Sequence, residues 1–314
     1  MLQNLYRTLL KRLKIGYNRI RSKYAMFDVA ELFFQHNGET DFNRYDMIVR
    51  LLAVENYYGK NDYGFNFYMR MQGARVNKEW VEPSVNKFKK LIQSYENNGY
   101  NNRSRIVLDS ELHLVDGSHR MAMAMYYGIP YINAEVRYKV YNIFYGIEWF
   151  RINGFTENEC KILRLKYEEL KKRYETPFIC SIWPPFHNYF TEITEKLSLF
   201  GTIIDIKEIY LNEQNYSIFV KYLCRKKNAD RELERMMKTY SNNHSIRIVA
   251  LFISTPKFII NTKKSNTCSM QAELIQKLIC DAYKEKGVDC SNDIIMSIGS
   301  NFNQNRELYR LMKS

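Results

Sequence analysis

No stretch of this 314-residue chain reaches the ~20 consecutive apolar residues that a membrane-spanning helix needs, and its start shows no small-residue cleavage site of the secretory kind. Membrane insertion and export are therefore not expected, and the chain reads as cytoplasmic. Paired cysteines are also lacking. Cys160, Cys180, Cys224, Cys268, Cys280 and Cys290 form no CxxC, and His36, His113, His119, His187 and His244 are equally scattered, so neither set has a zinc spacing. Reduced, structural thiols are the expectation. Extended disorder is excluded by a composition that is 46% hydrophobic and 15% aromatic, which gives a chain of this length enough apolar surface for two modest packed domains.

Acids are missing from residues 1–23. Arg7, Lys11, Arg12, Lys14, Arg19, Arg21 and Lys23 place seven of the +13 net charges there. Leu2, Leu5, Leu9, Leu13, Tyr17 and Ile20 recur at helical steps, so residues 1–30 read as a basic amphipathic helix. Such a helix either covers the chain's own core or lies on an anionic membrane surface or a protein partner, which would make the protein peripheral at the membrane. With the basicity concentrated in this tip, nucleic acid is not the expected partner.

The richest chemistry lies at Val115-Asp116-Gly117-Ser118-His119-Arg120. Val85, Phe88, Leu91, Ile92 and Tyr95 predict a helix that stops at Asn97-Asn98-Gly99, and Ile106–Leu108 and Leu112–Val115 predict two short strands. Ser118–Tyr127 predicts a helix with a small Met121–Ala124 face, ended by Gly128, before the alternating strand Tyr131–Val136. A turn that hands straight into a helix exposes N–H groups at the positive end of the helix dipole, which suits a phosphate. Here the N–H groups of residues 117–120 would form the cradle, Arg120 could bind two phosphate oxygens, and Ser118 and His119 would donate singly. Asp116 is placed to hold a divalent metal. The plainer alternative is an Asp-Gly capping turn with Arg120 paired to a surface acid.

In this order, helix followed by "NGY…IVLD…LHLVDGSHRMAMAMYYGIPYINAEV", the chain resembles the ParB/sulfiredoxin superfamily over about residues 66–140. That superfamily includes CTP-binding partition proteins, sulfiredoxins, and small-molecule kinases that phosphorylate free serine. The Asp-Gly-x-His-Arg turn is most similar to the kinase branch. Sulfiredoxins carry a nucleophilic Cys where Ser118 stands, and partition proteins carry Glu-Arg-Arg after the Gly. The resemblance implies an NTP-dependent kinase that uses ATP or another NTP with Mg²⁺ and acts on a hydroxyl of a small molecule or sugar, with surface polysaccharide biosynthesis as a setting. Two other classes stand beside it. One is a nucleotide-switched ParB-like DNA-binding protein, for which Tyr141–Tyr174 offers no convincing recognition helix. The other is a non-catalytic nucleotide-binding interaction protein.

Upstream, Asp46–Glu55 predicts one amphipathic helix with Asp46 and Arg50 on a shared face; an internal ion-pair network that includes Glu55 would explain these charges structurally. Phe65–Arg70 alternates like a strand. Arg70 and Arg75 are candidates for further phosphate contacts. Glu82, just ahead of the helix that begins near Ser84, is the candidate to activate an acceptor hydroxyl, by analogy with serine kinases of the superfamily. Glu55 is the reserve and Glu79 competes.

The fold class expected is α/β (α+β). Residues 31–140 form the ParB/sulfiredoxin-like nucleotide-binding domain, 141–185 a helical linker with a capping box at Thr156–Glu159, and 186–314 a second αβ sandwich domain. In that last domain, helices are expected at 190–200, 230–240, 270–286 and 303–312, and strands at 203–206, 209–211, 246–254 and 293–298, with 216–223 helix or strand. Ile294–Asn301 faintly resembles the nucleoside diphosphate kinase signature, but Ile298 stands where its catalytic His would be, so phosphohistidine chemistry is not implied. Lys257, Lys263, Lys264 and the Gly299-Ser300-Asn301 loop either receive an acidic group or are simply solvated.

Overall fold

A computed structural model describes residues 24–38, 41–101, 104–137, 139–141, 143–210, 245–261, 266–288 and 296–313. The chain is mixed α/β with several small sheets. It divides into two compact units, with the boundary between Glu175 and Thr176. Most of the expected basic helix, the segments 216–223 and 230–240, residues 293–295, Lys263 and Lys264 lie outside the described residues.

The first unit is built on a four-stranded sheet. Strand β1 (Tyr24–Asp28) runs antiparallel to β4 (Tyr131–Val136), β4 runs parallel to β2 (Ile106–Leu108), and β2 runs antiparallel to β3 (Leu114–Asp116). Residues 24–30 therefore belong to this sheet and the helix after it, not to the basic helix expected there. The alternation in β4 buries Ile132, Ala134 and Val136, as its period of two requires. Asp28 caps the following helix α1 (Val29–Phe34) by accepting the Ala30 N–H at 2.9 Å.

Helix α2 (Tyr45–Tyr57) buries every residue from Tyr45 to Val54, Asp46 and Arg50 included. The expected helix is present and runs through the core, and the internal ion pair expected for its shared face joins Asp46 and Arg50. Helix α3 (Gly64–Arg75) replaces the strand expected at Phe65–Arg70. Its start is fixed by two asparagines: Asn61 Oδ1 accepts from Gly64 N–H at 2.8 Å and Asn56 Oδ1 from Phe65 N–H at 3.0 Å. The buried positions Gly64, Phe67, Tyr68, Met71 and Gln72 follow a helical period that the shorter alternation hid. At Gly64 a Cβ would sit 2.0 Å from the Leu52 carbonyl oxygen, so α3 touches α2 backbone to backbone.

After a 3₁₀ turn at Lys78–Trp80 comes α4 (Val81–Asn98), and between β3 and β4 lies α5 (Ser118–Tyr127). Helices α6 (Ile147–Ile152) and α7 (Glu157–Tyr174) complete the unit. The capping box at the start of α7 is present, with Glu159 N–H donating to Thr156 Oγ1 at 3.3 Å and Thr156 N–H to Glu159 Oε2 at 2.7 Å. These helices belong to the first unit and do not bridge two domains.

In the second unit, β5 (Phe178–Ile182), β6 (Thr202–Tyr210), β7 (Ser245–Phe252) and β10 (Met296–Ile298) form an antiparallel sheet in the order β10-β5-β7-β6. β8 (Phe258–Asn261) pairs with β9 (Asn266–Ser269), and the helices are α8 (Phe190–Ser198), α9 (Met270–Lys284) and α10 (Phe302–Lys313). Strand β5, buried along its whole length, occupies residues expected to be linker. The two strands expected at 203–211 run as one, β6, with an irregularity between Ile203 and Asp205. Among the described residues no helix is long and apolar enough to cross a membrane.

Asn305 of α10, fully buried, ties this unit together. Its Oδ1 accepts from Ile179 N–H at 2.8 Å, and its Nδ2 donates to the carbonyls of Gly299 at 3.0 Å and Asn301 at 2.8 Å. Asn305→Ala would orphan buried backbone groups and should lower the stability of the second unit by about 2 kcal/mol, read as a lower denaturant midpoint in the full chain.

Candidate functional site

The turn between β3 and α5 has one backbone requirement. Gly117 adopts φ 92°, and a Cβ there would lie 2.6 Å from Ile106 Cγ2, so only glycine lets α5 begin against β2. The Gly117 N–H is taken by Asp116 Oδ1 at 2.7 Å and is thus lost to the expected cradle of residues 117–120. Among the described residues no side-chain cap is bonded at the start of α5, so the N–H groups of Ser118, His119 and Arg120 form the positive end of the helix. Asp116 itself is exposed at this mouth.

His119 turns inward. Its Nε2 lies 2.7 Å from the Tyr68 hydroxyl and its ring packs at 4.5 Å from the ring of Phe88 in α4. Gln72 Nε2 donates to the Tyr68 oxygen at 3.1 Å, so the Tyr68 hydrogen is best used toward His119 Nε2, which leaves the imidazole proton on Nδ1. Burial, then the positive charges of Arg50 and Arg75, pull the His119 pKa down to about 2. The imidazole is therefore a neutral hydrogen-bond donor. Arg75 donates through Nε to the Tyr145 hydroxyl at 3.0 Å, stacks on that ring at 4.6 Å, and reaches Gln72 Oε1 through Nη1 at 3.3 Å. Arg120 donates to the Arg105 carbonyl beside β2, so part of its guanidinium serves the fold.

Below the turn lies a buried charge network. Asp46 Oδ1 accepts from Arg44 Nε at 2.7 Å, and its Oδ2 from Arg50 Nη1 at 2.9 Å. Burial pushes the Asp46 carboxyl up, but Arg44 and Arg50 outweigh it and hold the pKa at about 2. Arg44 Nη1 also donates to the Leu114 carbonyl, while His36 Nε2 accepts the Leu114 N–H at 3.2 Å. Both polar groups of Leu114, the first residue of β3, are thus fixed from beneath. Asp109, fully buried, steadies the preceding bend by accepting the N–H groups of Glu111 at 2.8 Å, His113 at 2.9 Å and Tyr141 at 3.1 Å.

Two expected site residues are directed elsewhere. Glu55 pairs with Lys166 of α7 at 2.6 Å, and not with Arg50. Arg70 binds Glu159 at 2.5 Å and the Gly154 carbonyl at 2.6 Å, over the Phe155 ring. Two positions from Tyr68 on a helix, Arg70 faces α7 while Tyr68 faces the turn. Glu82 stands exposed in the first turn of α4, and Glu79 exposed in the 3₁₀ turn before it. Tyr68, Gln72 and Asp109 are the participants that sequence reasoning missed; the spacing Tyr68, Gln72, Arg75 marks one helical face once 64–75 is read as a helix.

Among the described residues no group of three or more His, Cys, Asp or Glu side chains could hold a metal. A single exposed carboxylate such as Asp116 is nonetheless the kind of donor Mg²⁺ takes when phosphates and water supply the rest. No family model matches the chain, and searches of curated proteins and of solved structures find no match either.

The depressed histidines set a pH dependence. His119 and His36 both have folded pKa values below 6.5, so below that pH the unfolded chain binds protons the folded one refuses. Stability of the first unit should fall as pH drops from 6.5 toward the folded pKa of His119, about 2, by at most ~1.4 kcal/mol per pH unit per group. Denaturant unfolding at a series of pH values should show this slope reduced in His119→Phe; an unchanged slope would contradict the assignment.

Proposed function

We infer that the first unit is an NTP-dependent phosphotransferase acting on a hydroxyl of a small molecule or sugar. The observation that carries the reading is the Gly117 turn, with uncapped N–H groups at residues 118–120 above a buried cluster of arginines. The order of elements, with β2 and β4 parallel across α5, supports the resemblance to the ParB/sulfiredoxin superfamily. Triphosphate oxygens of ATP or another NTP would take the amides of Ser118, His119 and Arg120, with donors from Ser118, from Arg75 and from the part of Arg120 not held by Arg105.

Asp116 would hold Mg²⁺, which supplies neutralisation of the phosphate charge when bound. Phosphoryl transfer asks little covalent chemistry of the protein. It needs a fixed acceptor hydroxyl and a carboxylate to orient it and accept its proton. Glu82 fills that role: it is exposed, and its helix carries Phe88 against His119. Glu55 and Arg70 are left out, since their partners tie them to α7. Surface polysaccharide biosynthesis is the setting the resemblance suggests, and a basic tip at residues 1–23 would hold the protein at an anionic membrane surface.

Purified protein incubated with each NTP and Mg²⁺ should release or transfer the γ-phosphate in the presence of the right member of a panel of sugars and amino acids. Glu82→Gln should slow transfer by about 100-fold or more while leaving nucleotide affinity unchanged. Failure to bind any NTP would defeat the reading. Binding without turnover on any acceptor would favour a non-catalytic nucleotide-binding protein.

A further inference from the structure

Within the first unit, positive charge outnumbers negative around Tyr68. The charged and ionisable groups that act most strongly on Arg50 are Asp46, the ring hydroxyl of Tyr68, and two further arginines, Arg75 and Arg44. One carboxylate thus faces three guanidiniums, and His119 adds no negative charge. Arg44 is used up by Asp46 and the Leu114 carbonyl. Arg50 is not. Among the described residues its hydrogen bonds leave through Nη1, to Asp46 and to the sulfur of Met71, and its buried Nε has no acceptor there, the side chain being only 2% exposed.

An unmatched donor on a buried guanidinium is costly, and the edge it lies on is the one arginine uses for two-pronged recognition of oxyanions. The other spare donors gather on the same side chain. Tyr68 carries the Arg50 guanidinium 5.9 Å from its ring centre and binds His119 and Gln72 through its hydroxyl; Gln72 holds Arg75, which is half-buried. His119 Nδ1–H and the part of Arg75 not engaged by Tyr145 and Gln72 complete the set. Burial is the main influence that draws the Arg50 pKa down to about 10; Asp46 opposes it, and Arg75 and Arg44 add smaller pulls in the same direction as burial.

We propose that Arg50, Arg75 and His119 form a seat for a phosphate group inside the first unit, built from side chains and distinct from the backbone amides at the start of α5. A dianionic phosphate balances the excess of two positive charges, which a carboxylate would leave half compensated. The phosphate comes either from the terminal group of a nucleotide or from a phosphorylated acceptor. The seat stands on the cluster itself and does not require the kinase reading.

Titration of the full chain with inorganic phosphate in a calorimeter, with acetate as the comparison, tests it. Phosphate should bind and acetate should bind at least about tenfold more weakly; Arg50→Lys, which keeps the charge but loses the two-pronged edge, should weaken phosphate by about tenfold or more. Should Arg50→Lys fail to fold, as judged by circular dichroism, Arg75→Gln at the half-buried position serves instead and should also weaken phosphate. No binding of phosphate, or wild-type affinity in the folded variants, overturns the seat. Arg50→Lys, which lies outside the nucleotide contacts proposed above, titrated with ATP and ADP identifies the source: a loss confined to ATP assigns the nucleotide's terminal phosphate, and unchanged nucleotide affinity with phosphate binding lost assigns the acceptor. A protein that binds phosphate but no nucleotide would sink the kinase reading and leave the seat intact.

Discussion

The carboxylate of Asp46, shared between Arg44 and Arg50 in the first turn of a buried helix, is the contact on which the first unit depends. Through Arg44 it holds the carbonyl of Leu114, and so the strand that delivers Asp116 and Gly117. Through Arg50 it sets a guanidinium against the face of Tyr68, the side chain that positions His119. A buried ion pair contributes little net stability, because desolvation offsets the Coulomb attraction, but losing one partner strands the others. Its value here is geometric. It fixes the strand and the helix that flank the turn by one side chain common to both.

Much of this architecture was legible in the sequence. The elements around Asp116–Arg120 follow from local chemistry: a glycine stop at Gly99, an Asp-Gly turn, a glycine stop at Gly128 and an alternating strand, all of which operate within a few residues. The capping box at Thr156 is equally local. The errors came where long-range packing decides. Phe65–Arg70 alternates in sequence, yet Asn56 and Asn61 cap it into a helix and α2 buries its helical face. The Asp46–Arg50 pair in helix α2 follows from its four-residue spacing, whereas the burial of the whole face and the third member, Arg44, are set by packing. Residues 178–182 follow a proline and read as linker, but the sheet of the second unit claims them as a central strand.

The candidate site divides in the same way. Gly117, Ser118, His119 and Asp116 are contiguous and could be named together. The direction each arginine takes could not, because a guanidinium on a long flexible stem goes to whichever partner the tertiary fold supplies. Arg70 and Arg75 lie on one helix, yet Arg70 is drawn to Glu159 and Arg75 to Tyr145 and Gln72. Glu55 likewise answers to Lys166, more than a hundred residues away. Asp109 leaves little sequence signal beyond a carboxylate at a strand end, since apart from the His113 ring at 3.4 Å its partners are backbone amides at Glu111, His113 and Tyr141.

Gly64 touches none of the groups that would meet a ligand, yet it governs how near they stand. With its Cα laid directly on the Leu52 carbonyl, α3 approaches α2 as closely as two backbones allow. Tyr68, Gln72 and Arg75 descend from that point along a rigid rod, so a methyl group at residue 64 would be magnified along the rod's length into a displaced phenol and a displaced guanidinium. The smallest side chain in this region thereby acts as the molecular shim that sets the gap between helices, and the reach of the arginines is calibrated from a place no substrate visits.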